Sequence, residues 1–412
     1  MLTHRHPPYP EAMSTRSASS RPDPRDLAGI DSCLTDDELA IRDTVRTACD
    51  RLVDPYIAEW YERGELPVAR DLAREFGRIG LLGMHLDGYG CAGMSAVDYG
   101  LACLELEASD SGIRSLVSVQ GSLAMGAIHQ WGSEEHKQQW LPTMATGESL
   151  GCFGLTEPDH GSDPSSMRTH ARKDGSDWVL NGSKMWITNG SIADVAVVWA
   201  RAEEGDGSSI RGFVVPTDTP GFSAPEIKHK LSLRASVTSE LVLDSVRLPG
   251  DAVFPEVRGL KGPLACLSEA RYGILWGLLG AARSALDAAR EYSTQRHQFG
   301  KPLAAFQLTQ AKLSRMAVDL ITAQLLALHL GRLKDAGGLR PDQVSLGKYN
   351  NVTAAIEICR TARTILGANG ISLEFPVMRH ANNLESVLTY EGTAEMHSLV
   401  IGQALTGVAA FR

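Results

Sequence analysis

The stretch Leu388-Thr-Tyr-Glu-Gly-Thr393 holds one carboxylate, Glu391, between an aromatic ring and a glycine. Gly392 lets a ligand come close to the backbone, and a glutamate beside Tyr390 is open to partial desolvation. Burial raises a carboxyl pKa, which suits a general base. The same six residues also describe an ordinary exposed loop glutamate, and a Glu-Gly pair alone does not decide between the two. Denser in chemistry is Phe153-Gly-Leu-Thr-Glu-Pro-Asp-His-Gly-Ser162. Its glycines, its hydroxyls at Thr156 and Ser162 and its backbone donors suit a phosphate or a planar ring that needs hydrogen bonds, although a Pro/Gly turn reads the same way. The glycine spacing is neither that of a Walker loop nor that of a dinucleotide fingerprint. Arg114 is the lone charge between Gly112 and Ala127. A single guanidinium on an apolar helix snorkels, pairs with an acid (Glu107 and Asp110 are near in sequence) or binds an anionic ligand. His160 reads as a loop residue, no histidine spacing matches a metal site, and no metal is expected.

The elements that must position these residues change along the chain. Thr35-Asp-Asp-Glu38 is a capping-box start, and Ile41, Val45, Ala48 and Leu52 follow at helical spacing up to a break at Pro55. Further helices are predicted from about Val68 to Ile79, Ser95 to Ser109, Ile113 to Trp131 and Glu134 to Ala145, with turns at Asp87–Gly90 and Asp110–Gly112 between them. From Gly151 to about Pro255 the pattern turns to short β-branched and aromatic runs. Asn181-Gly182, between Trp178–Leu180 and Ser183–Thr188, predicts a hairpin with a type I′ turn. Val195–Ala200, Ile210–Val215 and Glu240–Leu248 are further strand candidates. After Gly259 the helical period returns in Ile274–Tyr292, Ala304–Lys334 and Val344–Leu366. Gln295–Gly300 reads as a helix-terminal turn, and Leu366–Gly370 as a helix C-cap.

The 412 residues are enough for two to three domains with a large buried core. A formal charge of −9 argues against a general nucleic-acid binder. The nearest approach to a membrane span, Gly273–Ala282, is cut short by Arg283, so no span is expected. The seven cysteines are scattered and read as small buried hydrophobes of a reducing compartment. Residues 1–34 read as a disordered tail, with Met1–Asp26 its most polar part. The expected location is the cytoplasm of a bacterial-type cell, or the mitochondrial matrix if that tail is a transit peptide.

The motifs GYGCAG from Gly88, SGIRS from Ser111, GCFGLTEPDHGSD from Gly151, WITNG from Trp186, EARYGI from Glu269, RHQFGKPL from Arg296, LGANGI from Leu366, RHANNLESVLTYEGT from Arg379 and the final ALTGVAAF together resemble the acyl-CoA dehydrogenase family. Within that family the resemblance is strongest to its glutaryl-CoA branch. It implies a mainly α protein with a middle β domain: a helical N-terminal domain over 35–150, a β-barrel-like middle domain over 151–258 and a C-terminal four-helix bundle over 259–412. The implied cofactor is FAD. Phe153, Leu155, Thr156, Gly161, Ser162, Trp186, Ile187 and Thr188 would lie along the flavin. Arg296, Phe299 and Gln307 match contacts to the FAD of a neighbouring subunit. Leu366, Gly367, Asn369 and Gly370 would hold its adenosine-diphosphate end across an interface, and Thr393 and Phe411 match further FAD contacts. Sites left incomplete in one chain imply a homotetramer.

By the same resemblance, Ser162 and the segment 267–274, with Arg271 and Tyr272, line an acyl-CoA channel. Glu391 matches the base that takes the α-proton of an acyl thioester, and its own N–H with a ribityl hydroxyl would polarise the carbonyl. Hydride would leave the β-carbon for the flavin, and electrons would pass to an electron-transfer flavoprotein. Arg114, Ser115 and Ser118 match a glutaryl pocket with Glu107 deep inside it, and Tyr390 and Gly392 flank the base. The implied reaction turns glutaryl-CoA into crotonyl-CoA and carbon dioxide. The alternatives are dehydrogenation without decarboxylation, another dicarboxyl thioester carried on CoA or a carrier protein, and a silent scaffold that kept the fold. The chain departs from the family pattern at Thr393-Ala-Glu-Met-His397 and at Ala368.

Overall fold

The computed structural model of the chain describes residues 23–204 and 207–410. Seven helices come first: α1 Asp36–Leu52, α2 Ile57–Arg63, α3 Ala69–Arg78, α4 Ala96–Ser109, α5 Ser111–Ser118, α6 Gly126–Trp131 and α7 Glu134–Ala145. A sheet follows, built from β1 Gly151–Gly154, β2 His170–Asp174, β3 Asp177–Thr188, β4 Val195–Glu204, β5 Gly207–Pro216, β6 Phe222–Ser223 and β7 Thr238–Leu248. Helices then return as α8 Lys261–Gln295, a small hairpin of β8 His297–Gln298 and β9 Lys301–Pro302, α9 Gln307–Asp335, α10 Pro341–Leu366, α11 Pro376–Thr389 and α12 Ala394–Thr406. The order of helices, sheet and helices is the one expected.

The capping box forms as predicted: Thr35 Oγ1 accepts from Glu38 N at 3.2 Å, and Glu38 Oε2 accepts from Thr35 N at 2.8 Å. Glu38 also takes the guanidinium of Arg332, which fastens α1 to α9. Order begins before the cap, so the expected tail is too long. Asp26 Oδ1 accepts from Ile30 N at 2.6 Å, a 3-10 turn spans Ile30–Cys33, and Arg42 reaches back to Asp31. Ile30 and Leu34 pack on the core. The acids at 26 and 31, read as tail polarity, are caps and ion partners. The part of the tail before residue 23 lies outside the described residues.

The hairpin at Asn181-Gly182 does not form. β3 runs straight through those residues, and the turn that joins it to β2 lies at Gly175-Ser176. The pairing with β7 slips between Leu180 and Gly182, where Asn181 alone stands opposite Asp244 and Ser245, so the bulged strand is β7. Gly182 sits at φ 142° with Thr169 against it, where a Cβ would meet Thr169 Oγ1 at 2.6 Å, and the Asn181 side chain accepts from Ser245 N at 2.8 Å. Positive φ at two successive turn residues occurs instead at Phe299-Gly300, between β8 and β9.

The sheet order is β1-β4-β2-β3-β7-β6, with β5 on the other edge of β4. Successive residues of β4 point to opposite faces. Val195, Val197 and Trp199 join the core shared with the helices, and Ala196, Val198 and Ala200 fill a second core within the curled sheet. Trp199 lies against the start of α8, where a Cβ on Gly262 would stand 2.4 Å from its ring. Further along, a Cβ on Gly280 would come 1.8 Å from Leu104 O, so α8 and α4 pack backbone to backbone there.

The helix expected from Ile113 to Trp131 is continuous, but Val119–Met125 is π-helical. α9 contains an 18-residue window of mean hydropathy 1.3, long and apolar enough by length and composition to cross a bilayer, a segment that the search for uncharged runs did not pick out. The sequence reading demanded an uncharged run, and this window tolerates isolated charges. In the fold Met316, Leu320, Ala323, Ala327 and Leu330 of that helix are buried against neighbouring helices. Five of the cysteines are buried as expected, Cys91 is half-buried, and Cys33 is exposed.

Candidate active site

Four residues between α11 and α12 carry the candidate base. Glu391 adopts φ 52° and Gly392 φ 95°. A left-handed angle on a non-glycine residue is uncommon and strained, so something must hold it. Arg271 Nε, from α8, donates to Glu391 O at 2.6 Å. Lys348 Nζ, from α10, donates to Gly392 O at 2.8 Å and to Tyr390 O. Thr393 caps α12 by accepting from Met396 N at 3.3 Å. A Cβ on Gly392 would stand 2.9 Å from His397 Nε2, so only glycine fits above that ring.

Glu391 is partly accessible as a residue, yet its Oε2 is shut off from solvent with no hydrogen-bond partner. Burial pushes its carboxyl above the ordinary range, against the pull of Lys348, Arg271 and Arg114. The Glu391 N–H finds no acceptor among the described residues. His397 is buried and pushed down to about 3 by burial, with Lys348 and Arg271 adding to it, so it is neutral.

Arg114 lies under this loop and is 2% exposed. Its Nε donates to Glu107 Oε2 at 2.7 Å, its Nη2 donates to the Tyr390 hydroxyl, and Ser111 Oγ holds the other Glu107 oxygen at 2.8 Å. Of the two acids near it in sequence, Glu107 is the partner. Asp110 caps α5 instead: it accepts from Gly112 N at 2.7 Å, Arg379 Nη1 at 2.6 Å and Asn383 Nδ2 at 2.8 Å, which ties α5 to α11. Ser115 and Ser118 are buried on the same helix, and Ser118 Oγ has no partner. Tyr272 is fully buried with its hydroxyl on Ala96 O at 2.7 Å, so it braces α8 against α4.

Gly277 makes room for the ion pair, because a Cβ there would stand 2.2 Å from Glu107 Oε2. Glu107 is pinned by Arg114 and Ser111 and has nowhere to retreat. Gly277→Ala is therefore expected to lose about 1–3 kcal/mol of stability. It should also disturb Arg114; differential scanning calorimetry with ligand titration checks both.

The remaining candidates fall into two groups at opposite ends of α8. Phe153 and Leu155 are buried, Thr156, Ile187 and Thr188 lie beside them, and Gly161 and Ser162 are exposed. The segment is braced from below by the fully buried Lys184, whose Nζ donates to Leu155 O at 3.1 Å and to Glu157 Oε1 at 2.8 Å. Trp186, at φ 63°, leaves 59% of itself uncovered. An aromatic surface and open glycine backbone beside hydroxyls suit a planar, hydrogen-bonding ring such as a flavin. The second group, Arg296, Phe299, Gln307 and Leu366 to Gly370, gathers at the C-terminal end of α8. There Asn369 Nδ2 donates to the Tyr292 hydroxyl at 3.0 Å, and Phe299 is 93% exposed. Trp199, whose ring lies against Phe153, packs on Gly262 at the start of α8, 30 residues and roughly 45 Å at 1.5 Å per residue before Tyr292. The structure therefore does not bring the two groups together within one chain. Phe411 lies outside the described residues.

The sequence reading missed Lys348, Gly277, Lys184 and Asp110 in its actual role. The signal for Lys348 was present: it stands on the inward stripe of α10 with Val344, Ser345, Asn351 and Val352.

A helical layer before and after a curled sheet, with a desolvated glutamate on a strained loop, fits the acyl-CoA dehydrogenase arrangement that the sequence motifs imply. Comparison with known proteins agrees. The chain matches the acyl-CoA dehydrogenase N-terminal domain over residues 35–148, the middle domain over 152–246 and the C-terminal domain over 258–406. A glutaryl-CoA dehydrogenase from Mycobacterium smegmatis is 68% identical, with a TM-score of 0.92 over 95% of this chain and 100% of that one. A glutaryl-CoA dehydrogenase from the same organism, in complex with FADH2, is 61% identical with the same TM-score and coverage. The human mitochondrial short-chain specific acyl-CoA dehydrogenase is 36% identical over 361 residues, 87% of each chain. The chain belongs to the acyl-CoA dehydrogenase family and is an FAD-dependent oxidoreductase.

Proposed function

We propose that the protein oxidises glutaryl-CoA at the α,β-position and decarboxylates the product to crotonyl-CoA. The observation that carries this reading is the buried Arg114, fixed by Glu107 through Nε and by Tyr390 through Nη2, directly beneath the loop of Glu391. No hydrogen bond from its Nη1 is seen among the described residues, and Ser118 Oγ, one turn further along α5, is buried without a partner. A carboxylate at the far end of an acyl chain would find a charge and a hydroxyl waiting there. A plain fatty acyl chain would leave both stranded. The similarity to glutaryl-CoA dehydrogenases supports the same choice.

The residues then divide the work. Glu391, desolvated and aimed into the site, takes the α-proton, and its free N–H is the donor available to the thioester oxygen as charge develops there. FAD, when bound, supplies a hydride acceptor for the β-carbon. Phe153, Leu155, Thr156, Gly161, Ser162, Trp186, Ile187 and Thr188 hold its flavin end. Arg296, Phe299, Gln307 and Leu366 to Gly370 gather at the far end of α8 and, as the family resemblance implies, serve the FAD of a neighbouring subunit in a homotetramer. In the oxidised product the distal carboxylate is conjugated through the new double bond to the thioester. Loss of carbon dioxide leaves a dienolate, which protonated Glu391 quenches. Electrons leave to an electron-transfer flavoprotein.

The test is an anaerobic single-turnover mix of the purified flavoprotein with glutaryl-CoA, following flavin bleaching and acyl product mass together. Bleaching with crotonyl-CoA and carbon dioxide is expected. Glutaconyl-CoA alone would move the protein to the non-decarboxylating alternative, and no bleaching would remove glutaryl-CoA as its substrate.

A further inference from the structure

Lys348 is fully buried on α10. An ammonium taken out of water is costly unless other groups compensate it, and an aliphatic residue would fill the same inward stripe without that cost. Both hydrogen bonds of its Nζ go to backbone carbonyls, Tyr390 O and Gly392 O, one on each side of Glu391. Neither is to a carboxylate. The residue between those two carbonyls sits at φ 52°, a backbone state that does not persist without support.

We propose that Lys348 is a positioning residue for the dehydrogenation, a clamp from α10 that grips the peptide carbonyls on both sides of Glu391 and holds the base in its left-handed conformation. The proposal rests on the reading of Glu391 as the base. It explains why the strain is stable: Arg271 fixes the Glu391 carbonyl from α8, and Lys348 fixes its two neighbours from α10, so the loop is held from two helices. It also puts an ammonium beside the base, one whose own pKa burial pushes down to about 7 against the pull of Glu391. The charged and titratable groups that face Glu391 are Lys348 from α10, Arg271 from α8 and Arg114 from α5, with the Tyr390 hydroxyl on its own loop and the neutral His397 from α12. Lys348 gives the largest opposition to the desolvation of Glu391. Removing it should therefore make the carboxylate harder to ionise and shift activity to higher pH.

The experiment compares wild type, Glu391→Gln, Lys348→Met and Lys348→Arg as purified flavoproteins, measuring kcat, KM and the pH profile with acyl-CoA. Lys348→Met is expected to retain flavin and to change KM by less than about 3-fold. Its kcat should fall about 100-fold as the base is misplaced. The acid limb of its kcat profile should rise by about one pH unit. Lys348→Arg keeps the charge and is expected to hold the acid limb at the wild-type position. If Lys348→Met does not fold, Lys348→Gln, which keeps two N–H donors on a shorter side chain without the charge, is expected to raise the acid limb in the same way and to lower kcat by less than the Met variant would. A variant without the charge that loses thermal stability alone, with kcat and acid limb unchanged, overturns the proposal. Wild-type protein that turns over no acyl-CoA, or Glu391→Gln that turns over normally, removes the base itself and the clamp with it, and that failure is read from the two controls alone.

Discussion

Glu391→Gln is expected to keep FAD and acyl-CoA binding and to lose at least about 10³-fold in kcat. The amide occupies nearly the same volume and leaves the backbone untouched, so the contacts of Arg271 and Lys348 to the loop carbonyls survive. What disappears is the one group that can accept a proton at Oε2, an oxygen with no protein partner. Retained charge-transfer colour with a bound acyl-CoA analogue, alongside lost turnover, would separate chemistry from binding. Retained turnover would mean that another group is the base. In the wild type, burial holds the Glu391 carboxyl above the ordinary carboxylate range of about 4.3, so the base form accumulates only at higher pH. kcat should rise with pH along an acid limb displaced upward from that range. His397 contributes nothing to this limb, because it is already neutral.

The sequence exposed local features and concealed those made by packing. The Thr35–Glu38 cap is a contact between residues three apart, so it could be read before any tertiary structure was known. Asn181-Gly182 has the composition of a turn, but the register of β3 against β7 and the closeness of Thr169 keep it within a strand, opposite a bulge in β7. No local rule contains that information. Glu391 looked like any loop glutamate until α8 and α10 were seen to hold it, since Arg271 and Lys348 are 120 and 43 residues away in the chain. The pairing of Arg114 with Glu107 was legible as one of two choices, seven residues apart on successive helices. Why Asp110 was not the partner depends on Arg379, 269 residues further on. Gly277 was unreadable for the same reason: the need for a hydrogen there comes from a side chain on α4.

Arg114→Met should cost glutaryl-CoA far more than butyryl-CoA. Truncating one partner of a buried, hydrogen-bonded charge pair costs about 2–5 kcal/mol, so kcat/KM for glutaryl-CoA is expected to fall by about 10²- to 10³-fold. Butyryl-CoA presents a methyl group where glutaryl-CoA presents a carboxylate, and its kcat/KM should change by less than about 10-fold. The single substitution has a second effect that must be kept apart from the first. It strands Glu107, which is fully buried, and an uncompensated charge there destabilises the helix packing whatever the substrate. Arg114→Met combined with Glu107→Gln removes both charges together and leaves Ser111 a partner on the amide. In that double variant the fold should recover while glutaryl-CoA remains disfavoured, because a carboxylate entering the pocket would meet no cation. Equal losses on both substrates in the double variant would assign Arg114 to the architecture and leave the acyl specificity to be found elsewhere. A selective loss would show that the same guanidinium that braces Tyr390 beside the base also counts the charge at the other end of the substrate.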